Sequence, residues 1–300
     1  MKAKKLEGVV AMLVTPLNKS EEIDFGALRA EIDWAVAQGV SGIVVTPSIG
    51  EFAVMTNEER WKCFEVCKEQ ASQYPHLFTI AMTAATHTRE VIRHSNIAKE
   101  LGYDAAQLIP PYYWLPDEEE VYRHYQLAAE TGLPLVIYHN PALSKFYMRR
   151  EFIGRLVGIP GVVGIKEVKT DRHVELEPLF QEVAGRAKVF TTFRAFSTGL
   201  VLGSSGGFIN VFGVPACVRM WELWQKGERD RVEKIQCSLN EVFPRGGEDN
   251  KKHIGTTKMV SSVVTGIDMG PPRAPYLSPD RQYRENLEKT LPQLNQLLKL

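Results

Sequence analysis

Short apolar runs alternate with longer amphipathic stretches along most of this 300-residue chain. Eight runs are nearly continuously apolar and rich in β-branched residues, at 9–14, 42–46, 78–82, 105–109, 135–138, 162–166, 188–191 and 207–211. Strands buried on both faces read this way, whereas half-exposed strands alternate. Between them the spacing predicts helices, most clearly over 24–38, 57–73, 88–101 and 117–131. Thr56 with Glu59 three residues on is a capping-box signature. Pro116 precedes an acidic first turn at 117–120. Gly102 and Gly132 fall just past two helix ends, where a left-handed residue is needed.

Strand–helix units in series imply a parallel sheet covered by helices. Eight such units within about 225 residues fit a closed (β/α)8 TIM barrel better than an open doubly wound sheet. From about residue 228 only helical patterns remain, at 230–242, 253–264 and 279–300, broken by turns at 246–247 and 270–272. The expected organisation is a barrel over 1–227 and a small C-terminal helical domain over 228–300.

Composition narrows the function classes. Formal net charge is zero and no like-charge run is visible, which argues against a nucleic-acid or anionic-membrane surface. No apolar stretch approaches the ~20 residues needed to span a bilayer, and the N-terminus runs into a strand-like segment without a signal-peptide core. A cytoplasmic protein is expected. Cys63, Cys67, Cys217 and Cys237 match no zinc spacing; Cys63 and Cys67 sit one helical turn apart and read as small apolar residues on one face. The seven histidines form no H-x-H or H-x3-H pair, so no metal is expected.

Reactive groups in such barrels lie at the C-terminal ends of the strands, which directs attention to polar residues that end an apolar run. Lys166, in Gly161-Val-Val-Gly-Ile-Lys-Glu, is the sharpest. If Val162, Gly164 and Lys166 alternate inward, the amine enters the barrel. A free lysine is neutral in only about one molecule in two thousand at pH 7, and apolar burial raises that fraction. The neutral amine is the nucleophile that condenses with a ketone to an imine. The other reading is a lysine paired with a strand-end carboxylate such as Glu167. Tyr138 ends the fifth strand, where a phenol can shuttle a proton or simply be a core tyrosine with a satisfied hydroxyl. The turn Thr46-Pro-Ser-Ile-Gly-Glu offers a hydroxyl and exposed N–H groups that can receive a carboxylate, or it is a plain βα turn.

Together these pieces resemble the dihydrodipicolinate synthase / N-acetylneuraminate lyase family of pyruvate-type aldolases. The resemblance runs through the segment starting Gly8-Val-Val-Ala-Met, the Gly50-Glu51 turn, Pro111-Tyr112-Tyr113, the Tyr138/Pro141 motif, Gly164-Ile-Lys-Glu and the Gly207/Ile209 turn. It implies a homotetramer built from two tight dimers, with no cofactor beyond the lysine imine and a small 2-oxo acid as the partner. Lys166 would be the Schiff-base lysine and Tyr138 the proton-transfer phenol. Ser48 would link that phenol to the substrate carboxylate, and Tyr113 would reach into a neighbour's site. The Ser48–Ile49 turn would hold the carboxylate, and Ile209 would present its backbone carbonyl.

Three departures bear on substrate. Ile49 stands where the family has a second hydroxyl, and Pro47 replaces a glycine. Leu143 stands where the lysine-precursor synthase has an arginine, which speaks against aspartate semialdehyde. Arg194-Ala195 replaces the acidic pair of the sialic-acid branch. The expectation is therefore a 2-oxo acid whose second carboxylate is read by Arg194, unless Arg194 is a solvated residue at a helix start. The same imine could instead serve dehydration or deamination. A metal-dependent aldolase and a barrel that binds a metabolite without turning it over are the remaining readings.

Overall fold

The eight apolar runs are strands of one parallel sheet: β1 (Gly8–Met12), β2 (Gly42–Val45), β3 (Phe78–Met82), β4 (Ala105–Leu108), β5 (Leu135–His139), β6 (Val162–Glu167), β7 (Lys188–Phe190) and β8 (Gly206–Asn210). The computed structural model describes residues 4–168, 173–243 and 252–299. Strand order is β7-β6-β5-β4-β3-β2-β1-β8. A parallel bridge between Thr191 and Gly207 brings the two ends together, with Phe208 N–H donating to the Thr191 carbonyl at 2.9 Å. The Phe190 and Phe208 rings meet edge-on at 5.0 Å across this seam. The chain is thus a (β/α)8 barrel followed by C-terminal helices.

The helices are α1 (Phe25–Ala37), α2 (Asn57–Ala71), α3 (Thr88–Glu100), α4 (Glu118–Ala129), α5 (Pro141–Ser144), α6 (Arg150–Leu156), α7 (His173–Val183), α8 (Phe196–Val201) and α9 (Val214–Gln225). Then follow α10 (Arg229–Val242), α11 (His253–Thr265) and α12 (Arg281–Lys299). The capping box at Thr56 and Glu59 opens α2, and a second one, Asp117 with Glu120, opens α4. Gly102 and Gly132 have φ of 82° and 74°, the left-handed backbone that the sequence asked of them. The turn expected at 246–247 lies outside the described residues.

Two apolar clusters result. Inside the barrel, Leu6, Val10, Met12, Val44, Ile49, Ile80, Ala105, Val136, Phe190 and Phe208 pack together, and a much larger cluster fills the layer between strands and helices. In β6 the alternation differs from expectation. The β5–β6 register slips between Leu135 and Val136, leaving Val163 as the extra residue of a bulge. Val162 consequently joins the outer cluster and Val163 packs on the inner one. Gly164 and Lys166 keep their inward direction.

Polar ties fasten the C-terminal segment to the barrel mouth. Lys258 on α11 is fully buried and donates to Glu51 Oε2 at 2.7 Å, while Arg273 N–H donates to Glu51 Oε1 at 2.8 Å. Arg273 also clasps the Glu59 carboxylate at 2.7 Å through both terminal nitrogens, which holds that carboxyl below its usual pKa. Glu31, buried beneath, accepts from Val14 N–H at 2.8 Å; burial pushes its carboxyl pKa well up.

Removing one partner of the buried Glu51–Lys258 pair leaves an uncompensated charge, which costs about 3–5 kcal/mol. Lys258→Met is expected to lose that much in urea unfolding. The double variant Lys258→Met/Glu51→Gln should recover part of the loss.

Candidate active site

Lys166 and Tyr138 are register partners on β6 and β5, and both side chains point into the barrel. Lys166 Nζ lies 4.1 Å from the centroid of the Tyr138 ring and 2.9 Å from Met12 Sδ. The side chain is 3 % exposed. A thioether and a π-face solvate an ammonium poorly, so burial lowers the amine's pKa from 10.5 to about 7. Glu167, the alternative partner raised by the sequence, turns to the opposite face of the strand. Its Oε2 lies 2.7 Å from Nδ1 of His139, the residue after Tyr138. Met148 N–H donates to His139 Nε2 at 3.2 Å, so Nδ1 carries the proton and donates to the carboxylate. This buried pair clamps β5 to β6 from outside while Tyr138 and Lys166 face each other inside.

The Tyr138 hydroxyl accepts from Asn140 Nδ2 at 2.8 Å. Burial raises the phenol's pKa, with Asn140 and then Ser48 pulling the other way, so it stays protonated near neutrality. Ser48 opens a short 3-10 turn, Ser48–Gly50, directly after β2. Its Oγ faces the phenol but is buried without a fully formed hydrogen bond among the described residues. Thr46 and Glu51 on either side of the turn have left-handed backbones, with φ of 49° and 65°. Such strain in a β-branched residue is uncommon and concentrates at functional sites. Gly50 admits no side chain, because a Cβ there would lie 2.9 Å from both the Leu13 carbonyl and Pro47 Cδ. Thr15 Oγ1 donates to the Gly50 carbonyl at 2.7 Å, fixing the turn against β1.

The other sequence-derived candidates separate into two groups. Ile49 sends its side chain into the inner cluster and Ile209 sends its own into the outer one, so neither offers more than backbone polar groups. Tyr113, Leu143 and Arg194 stand away from the buried lysine. Tyr113 is 83 % exposed, has a φ of 90°, and touches Trp114 edge-on. Leu143 is exposed on α5. Arg194 follows β7, where its Nη1 donates to the Phe243 carbonyl at 2.6 Å, at the C-terminal end of α10 where a cation is favoured.

Asn140 and Met12 were not singled out from sequence, and Glu167 was raised there as a partner of Lys166 rather than of His139. A signal for Asn140 existed, an amide between a strand-end tyrosine and a proline; the others become visible only once distant strands meet. The Cys63 and Cys67 thiols are buried and unreactive, with burial pushing Cys63 up to about 12. Among the described residues no helix is long and apolar enough to cross a membrane.

Comparison with known proteins agrees with the fold. The family model of the dihydrodipicolinate synthetase family matches residues 5–294. A 4-hydroxy-tetrahydrodipicolinate synthase from Acidovorax sp. is 33% identical over 242 residues, covering 79% of this chain and 80% of that one. An N-acetylneuraminate lyase from Escherichia fergusonii is 28% identical over 249 residues, covering 80% and 82%. The structure of a dihydrodipicolinate synthase from Acinetobacter baumannii complexed with pyruvate superposes with a TM-score of 0.83 at 26% identity, over 97% of this chain and 99% of that one. A barrel with a buried lysine on β6, matched along nearly its whole length, places this chain in the dihydrodipicolinate synthetase family.

Proposed function

We propose that this protein is a lyase that binds the keto carbon of a small 2-oxo acid to Lys166 as an imine and makes or breaks a C–C bond at the carbon beside it. One observation carries the reading: the Lys166 amine, its pKa near 7, is held dry against the face of Tyr138. Such an amine is neutral in a large fraction of molecules at pH 7, on the order of a thousandfold more than a solvated lysine. Relatives named as synthase and lyase, and the pyruvate complex of a related barrel, support the substrate class.

In this reading the amine adds to the keto carbon, and Tyr138 relays one proton from the nitrogen to the new alkoxide. It then gives its own proton to that hydroxyl, which leaves as water with a protonated imine and a Tyr138 phenolate behind. The protonated imine then draws in the electrons of the C3–C4 bond to form an enamine, while the C4 hydroxyl of the departing fragment gives its proton to the Tyr138 phenolate and becomes a carbonyl. Ser48 and Asn140 hold the phenol in place. The substrate carboxylate lies on the Ser48–Ile49 turn, bound through backbone N–H groups and the one serine hydroxyl, with the Ile209 carbonyl nearby. Lys166 is itself the electron sink, so the reaction calls for no metal or cofactor.

Tyr113 fits a role in a neighbouring chain's site, because it is exposed and presented on a strained backbone. In this reading neighbouring chains share sites, within the homotetramer of two tight dimers that the family resemblance implies, and the enzyme works in the cytoplasm. Leu143 cannot clamp a carboxylate, which disfavours aspartate semialdehyde. Arg194 remains the candidate for reading a second carboxylate, in a 4-hydroxy-2-oxo diacid or a deoxy-oxo aldaric acid, by turning from the Phe243 carbonyl.

Five outcomes are expected. Borohydride with pyruvate should leave an adduct of about 72 Da on Lys166, since an imine is reducible and an ion pair is not; an unmodified lysine in intact-mass analysis would remove the imine. The trapping rate should rise with pH through a midpoint near 7 and level off above it, because the neutral amine reacts. The same depressed pKa makes the unfolded chain bind the extra proton between about 7 and 10.5, so this group's contribution to stability rises with pH over that window. Lys166→Met should therefore unfold at a higher temperature than the parent at pH 6, and the gap should shrink as pH rises above 7. Tyr138→Phe should slow trapping by about 10²–10⁴-fold, the usual worth of a positioned proton donor, in rapid-quench assays. Arg194→Ala should raise KM for diacids by about 10–100-fold while leaving monoacids unchanged; an equal effect on both would eliminate the diacid, and free pyruvate among the products would favour C–C cleavage over dehydration.

A further inference from the structure

Gln107 lies in the middle of the apolar strand β4, one turn of the alternation beyond Ala105, which belongs to the inner cluster. Its side chain therefore enters the barrel. It is 0 % exposed, and both amide atoms, Nε2 and Oε1, are without a hydrogen-bond partner among the described residues. An amide buried in this way destabilises a fold. A leucine would fill the same space without that cost.

Its position relative to Lys166 follows from strand register. Gln107 pairs with Val136 on β5, and Val136 pairs with Gly164 on β6. Strands in an eight-stranded barrel of this kind are staggered by about one residue per strand, and inward side chains stack in layers of four from alternate strands. Two strands of stagger bring Gln107 level with Lys166 rather than Gly164. Their layer is completed by Val44 and Phe208, both in the inner cluster. The layer thus holds one amine, one amide and two apolar walls around the barrel axis.

We propose that Gln107 is a substrate-contacting residue that selects 2-oxo acids bearing a hydroxyl beyond the keto carbon. This rests on the Lys166 imine reading. A carbon chain anchored on Lys166 runs through the space the amide faces, and a hydroxyl there satisfies it as both donor and acceptor. A methyl or methylene leaves both amide atoms unpaired, and a carboxylate finds no compensating charge. Gln107 and Arg194 then divide the work: the amide reads an uncharged substituent near the imine and the guanidinium a distal anion.

The test compares 4-hydroxy-2-oxobutanoate with 2-oxobutanoate, which differ by one hydroxyl, through borohydride trapping at Lys166. The wild-type enzyme should half-saturate at about tenfold or more lower concentration of the hydroxylated acid, as expected for one well-made buried hydrogen bond. Gln107→Leu, and Gln107→Met as the variant closest in length, should erase that preference while trapping 2-oxobutanoate as before. Thermal unfolding of both variants reports folding separately. Retained preference in either folded variant, or an equal loss for both acids, overturns the role of Gln107 and leaves the imine standing. So does a gain in stability with trapping unchanged. No adduct from either acid in the wild type overturns the imine reading and this inference with it.

Discussion

Removal of water from one amine is the constraint on which the rest depends. A lysine that entered the barrel with its hydration shell would stay charged and inert toward a carbonyl. Closure of the sheet at Thr191 and Gly207, the aromatic pair at that seam and the aliphatic filling of the interior together keep the surroundings apolar. The fold's ordinary stability device, a packed core, is thereby also what tunes the lysine, and the destabilisation of a buried cation is accepted at a single strand end.

Rigidity around that amine comes from outside the barrel as much as from within. Tyr138 and Lys166 face each other because their strands are in register, and the neighbouring residues His139 and Glu167 lock that register on the helix-facing side. Successive residues of a strand point to opposite faces, so one pair of adjacent positions on two strands supplies both the proposed reactive couple and its brace. His139 also reaches Met148, and thus ties the brace to the loop that carries Asn140 and Leu143.

Much of this was legible in the residues. All eight strands announced themselves as apolar runs, because a parallel sheet buried on both faces demands them, and α1 to α4 carried regular spacing and capping signals. Helices α5 and α8 are too short for a period to show, and α7 contains Pro178. The bulge at Val163 depends on the β5 partner and leaves no local mark. Lys166 and Tyr138 stood out as polar residues ending apolar runs. Gln107 escaped because it interrupts its run rather than ending it, although a buried amide inside a strand is the same kind of anomaly. Glu51 was noticed without its partner, since Lys258 and Arg273 are charged residues of ordinary appearance until the chain folds back.

That return has a bearing on how the molecule is made. The turn that begins at Ser48 leaves the ribosome early, yet Glu51 meets Lys258 and the Arg273 amide only across separations of 207 and 222 residues. Until the final quarter of the chain has emerged and docked, the loop proposed to seat the carboxylate lacks its anchors. The proposed anion seat is therefore finished last although it is written near the start.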